Sequence, residues 1–73
     1  MAADSELQEV IDRVLRAGTP QGAQPGSIAK NLANLTAARH LRDQGLITFR
    51  EGGVTLEIVL TEAGVRHLAK QAI

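Results

Sequence analysis

The chain has 73 residues, no Cys, one aromatic residue, and eight basic against eight acidic side chains. A chain of this length buries only about 60% of the surface that its unfolded form exposes, which excludes a dinucleotide fold or a two-lobed catalytic cleft. Without Cys, neither disulfides nor thiolate metal sites can supplement the core. The single Phe disfavours a protein that stacks single-stranded bases. Taken as an average, the balanced charge also argues against binding of nucleic acid.

No targeting segment is recognisable. The first residues, Met1 to Glu6, lack the basic and apolar regions of a signal peptide. The apolar run Ile58 to Leu60 is far shorter than the ~20 residues of a membrane span. We therefore expect a cytoplasmic protein with no membrane partner.

The first predicted element is a helix over residues 5–17. Ser5 followed by Gln8 is typical of a capping box, with Asp4 as an alternative N-cap, and Gly18 is placed to end the helix. One stripe of apolar residues follows helical spacing. It consists of Leu7, Val10, Ile11, Val14 and Leu15.

A loop and a helical segment follow. Residues 18–26 contain three Gly and two Pro, which predicts a loop, either a plain connector or one that orders on binding. Residues 27–44 are helical in composition, with Ser27 as the N-cap. They form either one helix or two short helices, 28–33 and 35–44, the second capped by Asn34. The segment ends at Gly45 in both interpretations.

From Leu46 onward the apolar period changes to two, which predicts strands over 46–50 and 54–60. A tip of Glu51, Gly52 and Gly53 joins them, its glycines supplying positive φ angles. A last helix over 62–72 is capped by Thr61, and Gly64 weakens its first turn. The strand face Val54, Leu56, Ile58 and Leu60 and the helix stripe Val65, Leu68, Ala69 and Ala72 are expected to be buried.

Two strings resemble the winged helix-turn-helix superfamily, especially its MarR- and PadR-like regulators. They are Leu41-Arg-Asp-Gln-Gly-Leu-Ile47 and Leu60-Thr-Glu-Ala-Gly64. In that family a recognition helix commonly ends in a leucine, polar residues and Gly-Leu-Ile, and the return strand of the wing ends in Leu-Thr-x-x-Gly. The order of the strings across residues 27–69 is also similar, although the helix-turn-helix is shorter here and the wing tip is short.

The resemblance implies an α+β fold, a winged helix-turn-helix with three to four helices and a two-stranded β-hairpin wing. The chain 1–73 would then form a single domain. Its parts would be helix 5–17, loop 18–26, helix-turn-helix 27–44, wing hairpin 46–60 and C-terminal helix 62–72.

Charge is separated along the chain. Residues 27–50 carry four basic side chains against Asp43, a net +3, while residues 1–17 carry −2 and residues 51–73 carry −1. The positive segment is the one that a helix-turn-helix presents to duplex DNA. There the second helix meets base edges and neighbouring basic groups hold the phosphates.

An inward stripe of Leu35, Ala38 and Leu41 would expose the opposite face of the helix. The exposed set would be Thr36, Ala37, Arg39, His40, Asp43 and Gln44. Base or phosphate contacts are assigned to Thr36, Arg39 and His40, backbone contacts to Lys30, Asn31 and Asn34, and wing contacts to Arg50 and Gly52. The candidate DNA-binding residues are therefore Lys30, Asn31, Asn34, Thr36, Arg39, His40, Arg42, Arg50 and Gly52.

Nothing in the pattern indicates an enzyme, a cofactor or a metal site. His40 and His67 lack ligand spacing, and Ser5 and Ser27 stand at cap positions. The leading hypothesis is a small protein that binds double-stranded DNA as a homodimer and regulates transcription. The alternative is a winged helix that binds a protein partner without binding DNA.

Overall fold

The computed structural model describes residues 2–71, with side chains from residue 5 onward. Within this part of the chain, three helices alternate with four short strands, an α+β arrangement that confirms the predicted class. The elements are α1 (Ala2–Ala17), β1 (Thr19–Pro20), β2 (Gly26–Ala29), α2 (Leu32–Asp43), β3 (Ile47–Glu51), β4 (Thr55–Leu60) and α3 (Glu62–Gln71).

Strand β4 is the centre of a mixed sheet. It pairs antiparallel with β3 from Ile47 opposite Leu60 to Glu51 opposite Leu56. It also pairs antiparallel with β2, and parallel with β1 over two residues. Because β3 covers one edge of β4 over almost its whole length, β1 and β2 share the other edge. A hairpin thus lies where the sequence predicts one, and β2 extends it to three strands.

The core lies between the helices and one face of this sheet. Strand β4 alternates between buried and half-buried residues, as the apolar period of two predicts. Helices α1 and α2 each contribute one stripe of buried residues. The buried residues are Ile11, Val14, Leu15, Ala37, Ala38, Leu41, Ile47, Leu56, Ile58 and Leu60.

Residues 27–44 form neither one helix nor two, so both interpretations of this segment are wrong. Its first residues belong to β2, and the helix is confined to Leu32–Asp43. Ile28 pairs with Leu56 and packs against the core. A two-stranded hairpin is only marginally stable in water. Because the segment around Ile28 adds a third strand to it, strand pairing prevails over the helical propensity of the neighbouring residues. Within residues 2–71, a single helix therefore lies between β2 and the hairpin, where a helix-turn-helix needs two.

Both ends of α2 are fixed by specific hydrogen bonds. Asn31, and not Ser27, is the N-cap: its backbone is extended and its side chain accepts the N–H of Asn34 at 2.8 Å. At the other end Gly45 has φ +77°, and the N–H of Leu46 donates to the carbonyl of Leu41 at 3.0 Å. This 6→1 bond and the left-handed glycine define a Schellman motif, so Gly45 ends the helix as expected.

The start of α1 and the segment 18–26 also differ from the sequence predictions. Helix α1 begins at Ala2, so neither Ser5 nor Asp4 caps it. The predicted loop 18–26 contains β1 and the first residue of β2, because the edge of β4 that β3 leaves free provides backbone partners for both.

Four residues differ from the sequence predictions in burial or in backbone conformation. Ala37 is fully buried, because α2 packs against both α1 and β3. Val54 is 80% exposed, because β4 begins one residue later and Val54 lies in the turn. Gly52 and Gly53 do not adopt positive φ, which among the described residues occurs only at Gly22 and Gly45.

Helix α3 is capped as predicted but packs through a different residue. The hydroxyl of Thr61 accepts the N–H of Gly64 at 3.1 Å. Val65 is 41% exposed and Ala69 is exposed, while Gly64 is buried, so the expected apolar stripe is wrong in part. Its last member, Ala72, lies outside the described residues. The first turn of α3 approaches the carbonyl of Leu46, the residue before β3, so closely that only a glycine fits there.

Gly64→Ala tests this close approach. A Cβ at Gly64 would overlap the carbonyl oxygen of Leu46. Alanine normally favours a helix interior by about 1 kcal/mol over glycine, but here we expect the free energy of unfolding to fall by about 2 kcal/mol, as in overpacked cores. Urea unfolding followed by circular dichroism measures the change.

Gly53→Ala is the matched control. A Cβ at Gly53 meets no atom within 4 Å, so its effect should stay within about 0.5 kcal/mol. Equal stabilities of the two variants would contradict the packing of α3 on Leu46.

Candidate nucleic-acid interface

Helix α2 has one buried and one exposed face. Ala37, Ala38 and Leu41 are buried, whereas Thr36, Arg39, His40 and Asp43 are exposed. We call Thr36, Arg39, His40 and Asp43 the outer face of α2. Among the side chains from residue 5 to 71, Arg39 forms no ion pair and no hydrogen bond. Its guanidinium is therefore available to donate hydrogen bonds to a guanine edge or a phosphate.

Arg42 lies beside this face and is anchored to the hairpin. Its guanidinium carbon is 5.0 Å from the centroid of the Phe49 ring, a cation–π contact worth about 0.5–1 kcal/mol at an exposed site. Its Nε is also 4.0 Å from a carboxylate oxygen of Asp43, but both side chains are more than half exposed, so this ion pair contributes little. The aromatic ring thus holds one positive charge at the junction of α2 and β3.

Lys30 connects the start of α2 to the tip of the hairpin. Its Nζ donates to the carbonyl of Gly52 at 3.2 Å and lies 3.6 Å from Oε1 of Glu51. Its backbone N–H donates to the carbonyl of Val54 at 3.0 Å. The structure therefore brings Lys30 and Gly52 together, as a shared site requires, while Glu51 neutralises part of the lysine charge.

Asn31 and Asn34 are engaged inside the protein. Besides the cap at Asn31, Nδ2 of Asn34 donates to the carbonyl of Ala29 at 2.8 Å. Together these bonds join the end of β2 to the first turn of α2. The two amides therefore position the helix, and their predicted backbone contacts with DNA stay a prediction.

Arg50 lies on the other side of the sheet. Side chains alternate along a strand, and Phe49 packs against the core, so Arg50 points to the open face. There it pairs with Glu57 across the hairpin at 3.3 Å while its side chain stays 82% exposed. The structure thus separates Arg50 from the outer face of α2.

The sequence interpretation missed two apolar surfaces. Leu32 and Val54 are each 80% exposed, at the start of α2 and at the hairpin tip. A shallow groove also runs between α1 and α2. It is lined by Glu6, Leu7, Val10, Ala33 and Thr36. The position of Val54 next to two glycines was the one available signal, because such a residue can fall in the turn as well as in the strand.

Comparison with known proteins finds no matching family model, no matching curated protein and no matching solved structure. Within residues 2–71 every helix is too short or too polar to span a bilayer. No three His, Asp or Glu side chains in the same part of the chain gather as a metal site.

Asn31→Ala tests the positioning role of the asparagines. It leaves the N–H of Asn34 without its partner, so we expect the free energy of unfolding to fall by about 1 kcal/mol, the usual value of an N-cap. Asn31→Asp keeps an acceptor oxygen and should retain nearly all the stability. Both are measured by urea unfolding.

Arg39→Ala is the comparison variant, because the exposed side chain of Arg39 makes no hydrogen bond within the described residues. Its effect on the free energy of unfolding should stay within about 0.5 kcal/mol. If Asn31→Ala leaves the free energy of unfolding unchanged, the cap does not hold α2 in place.

Proposed function

We propose that the protein is a small DNA-binding protein, a transcriptional regulator that binds duplex DNA through the outer face of α2 and the neighbouring hairpin. One observation carries the proposal. A helix fixed at both ends exposes Thr36, Arg39 and His40 side by side, with Arg42 held beside them by Phe49. The first turn of α2 contains no acidic residue, so nothing on that turn repels a phosphate.

The dimensions of the helix suit the major groove. Twelve helical residues extend about 18 Å, and the groove is about 12 Å wide and admits one α-helix. Arg39 would bond the O6 and N7 of a guanine, and Thr36 and His40 would bond base edges or phosphates. In place of the first helix of a helix-turn-helix, β2 and the Asn31 cap would orient α2.

The paired basic residues can be recruited when DNA binds. The ion pairs of Lys30 with Glu51 and of Arg50 with Glu57 lie at the surface, and such pairs are worth at most about 1 kcal/mol. A phosphate can therefore replace the carboxylate at modest cost. Lys30 would hold the DNA backbone near α2, and Arg50 a more distant part of it.

Specific regulation would require two copies. A single module of this size buries about 600–1,000 Å² on DNA and reads few bases. Two copies with their recognition helices about 34 Å apart would read adjacent major grooves. We therefore propose that the protein acts as a homodimer. We also propose that it acts in the cytoplasm.

Two double variants test the proposed interface. Arg39→Ala with Arg42→Ala removes two charges from α2, and we expect duplex binding to weaken at least tenfold because two phosphate or base contacts are lost. Fluorescence anisotropy with a random duplex at about 50 and 200 mM salt measures the affinity and its salt dependence. The wild-type affinity should fall steeply with salt, and the slope for the variant should be shallower by about 1 for each of the two arginines that contacts a phosphate.

Arg13→Ala with Arg16→Ala is the matched control. It removes the same charge at the same spacing from exposed positions of α1, and should weaken binding only about twofold. Equal losses in both variants would mean that net charge alone drives binding. No binding by the wild type would contradict the proposed function.

A second candidate function is binding of a protein partner instead of DNA. The groove between α1 and α2 favours it, since Leu7 is 41% exposed beside Val10 and Ala33. A partner helix with apolar side chains would bury this surface. The anisotropy experiment separates the two candidates, because this one predicts no salt-dependent affinity for duplex DNA.

A further inference from the structure

Four charged side chains form one stripe along α1. Their spacing of three and four residues keeps them on one side of the helix. All four are exposed, whereas Ile11, Val14 and Leu15 on the other side of the helix are buried. The two acidic members come first along the helix and the two basic members follow. We call them the charged stripe, and they are Glu6, Glu9, Arg13 and Arg16.

The charged stripe has no partner inside the described part of the protein. Among the side chains from residue 5 to 71, its four members form no ion pair and no side-chain hydrogen bond. This holds even for Glu9 and Arg13, whose spacing of four residues favours an ion pair on a helix surface. Both of them also line a shallow depression of about 470 Å³ on α1, which leaves room for the side chains of a second helix.

The helix dipole does not account for the order of the charges. The dipole acts within the first and last turns of a helix, and α1 runs from Ala2 to Ala17. Arg16 lies in the last turn, but Glu9 and Arg13 lie in the middle of the helix. Their order along the stripe therefore needs another explanation.

That order makes the charged stripe complementary to a second copy of itself. Two α1 helices can lie side by side and antiparallel, with the centre of the pairing level with Ile11. Glu6 of one copy then lies opposite Arg16 of the second copy, and Glu9 opposite Arg13. A two-fold axis repeats both contacts, which gives four ion pairs and no like charges opposite each other. A parallel pair would place each charge beside an equal one, which is unfavourable.

We propose that the charged stripe is the surface through which two copies of this protein pair, with their α1 helices antiparallel. The inference rests on the proposed function, which includes a homodimer, and adds the surface that forms it. Exposed ion pairs are individually weak, so the contact is a transient one with a Kd of about 1 mM at low salt. Two copies bound to one DNA molecule meet at about millimolar effective concentration, so pairing occurs there, while the free protein at micromolar concentration is a monomer.

Sedimentation equilibrium without DNA tests the pairing. At about 1 mM protein and about 20 mM salt, a Kd of this size places about half of the chains in dimers. The weight-average mass should then be about 1.5 times the 7.8 kDa of one chain. In about 1 M salt, where the Debye length is about 3 Å, it should fall to the mass of one chain.

Two charge-reversal variants test the register. Glu6→Arg with Glu9→Arg makes the stripe entirely basic, and Arg13→Glu with Arg16→Glu makes it entirely acidic. Each variant alone should be monomeric at about 1 mM, because like charges then face each other. A fluorescent tracer of the basic variant should sediment with the acidic variant at about 1 mM, because this mixture restores all four ion pairs.

Arg66→Glu with Lys70→Glu is the matched control for the acidic variant. Each of the two variants reverses two basic residues of a neutral chain, so their net charges are equal, but the control changes α3 and leaves the charged stripe intact. In this register the stripe of the control would face the basic tracer with as many like as opposite charges. The tracer should therefore remain monomeric in its presence.

The outcomes separate the pairing from the proposed function, because none of these mixtures contains DNA. Wild-type protein that stays monomeric at about 1 mM and low salt overturns the pairing and leaves DNA binding to the anisotropy experiment. A tracer that binds the acidic variant and the control equally shows attraction by net charge and also overturns it. If circular dichroism shows that a reversal variant has lost helix, Glu9→Gln with Arg13→Gln replaces it. This neutral change removes two of the four ion pairs and should weaken self-association at least fivefold, and an unchanged mass overturns the pairing.

Discussion

The pairing of β2 with β4 is the interaction on which the position of α2, and with it the candidate site, depends. A two-stranded hairpin is marginal in water, and β2 adds a third strand in register from Gly26 opposite Ile58 to Ala29 opposite Thr55. Only Lys30 and Asn31 separate β2 from α2, so the register of this short strand also fixes where the helix begins. The Asn31 cap, the Asn34 bond to Ala29 and the Lys30 bonds to the hairpin all follow from that register.

From this position α2 acquires its two different faces. The buried face packs on α1 and β3, and the Schellman motif at Gly45 turns the chain directly into β3. Arg42 then reaches the ring of Phe49, beside an outer face that is partly basic and open to solvent. Hydrogen bonds hold both ends of the helix, and contacts that are positioned in advance lose less conformational entropy when a ligand binds.

Periodicity predicted the elements whose conformation is decided locally or by one apolar face. The buried part of the α1 stripe (Ile11, Val14 and Leu15), the alternation over Leu56, Ile58 and Leu60, and the terminating Gly45 belong to this group, whereas Leu7 of the same stripe is 41% exposed. Strand β2 could not be predicted, because four residues with a single large apolar side chain are a strand only through their pairing with distant residues. Ala37 could not be distinguished from Ala38 by type, and the need for Gly64 depends on how closely α3 approaches Leu46. In the candidate site, the inward stripe of α2 predicts the exposure of Arg39 and His40. Strand alternation also predicts that Arg50 and Phe49 lie on opposite faces of the sheet, but the grouping of Arg50 with the α2 residues did not take this into account.

The claim that the outer face of α2 meets DNA is tested most directly by amide chemical shifts. A titration of the isotopically labelled protein with a duplex, followed by two-dimensional NMR, reports every backbone amide at once. If the outer face of α2 binds DNA, the largest shift changes fall on residues 32–43 and on the hairpin tip at 52–54, while residues 66–71 of α3 stay unchanged. Changes concentrated on α3, or on the sheet face around Arg50 and Glu57 with α2 unaffected, would contradict it.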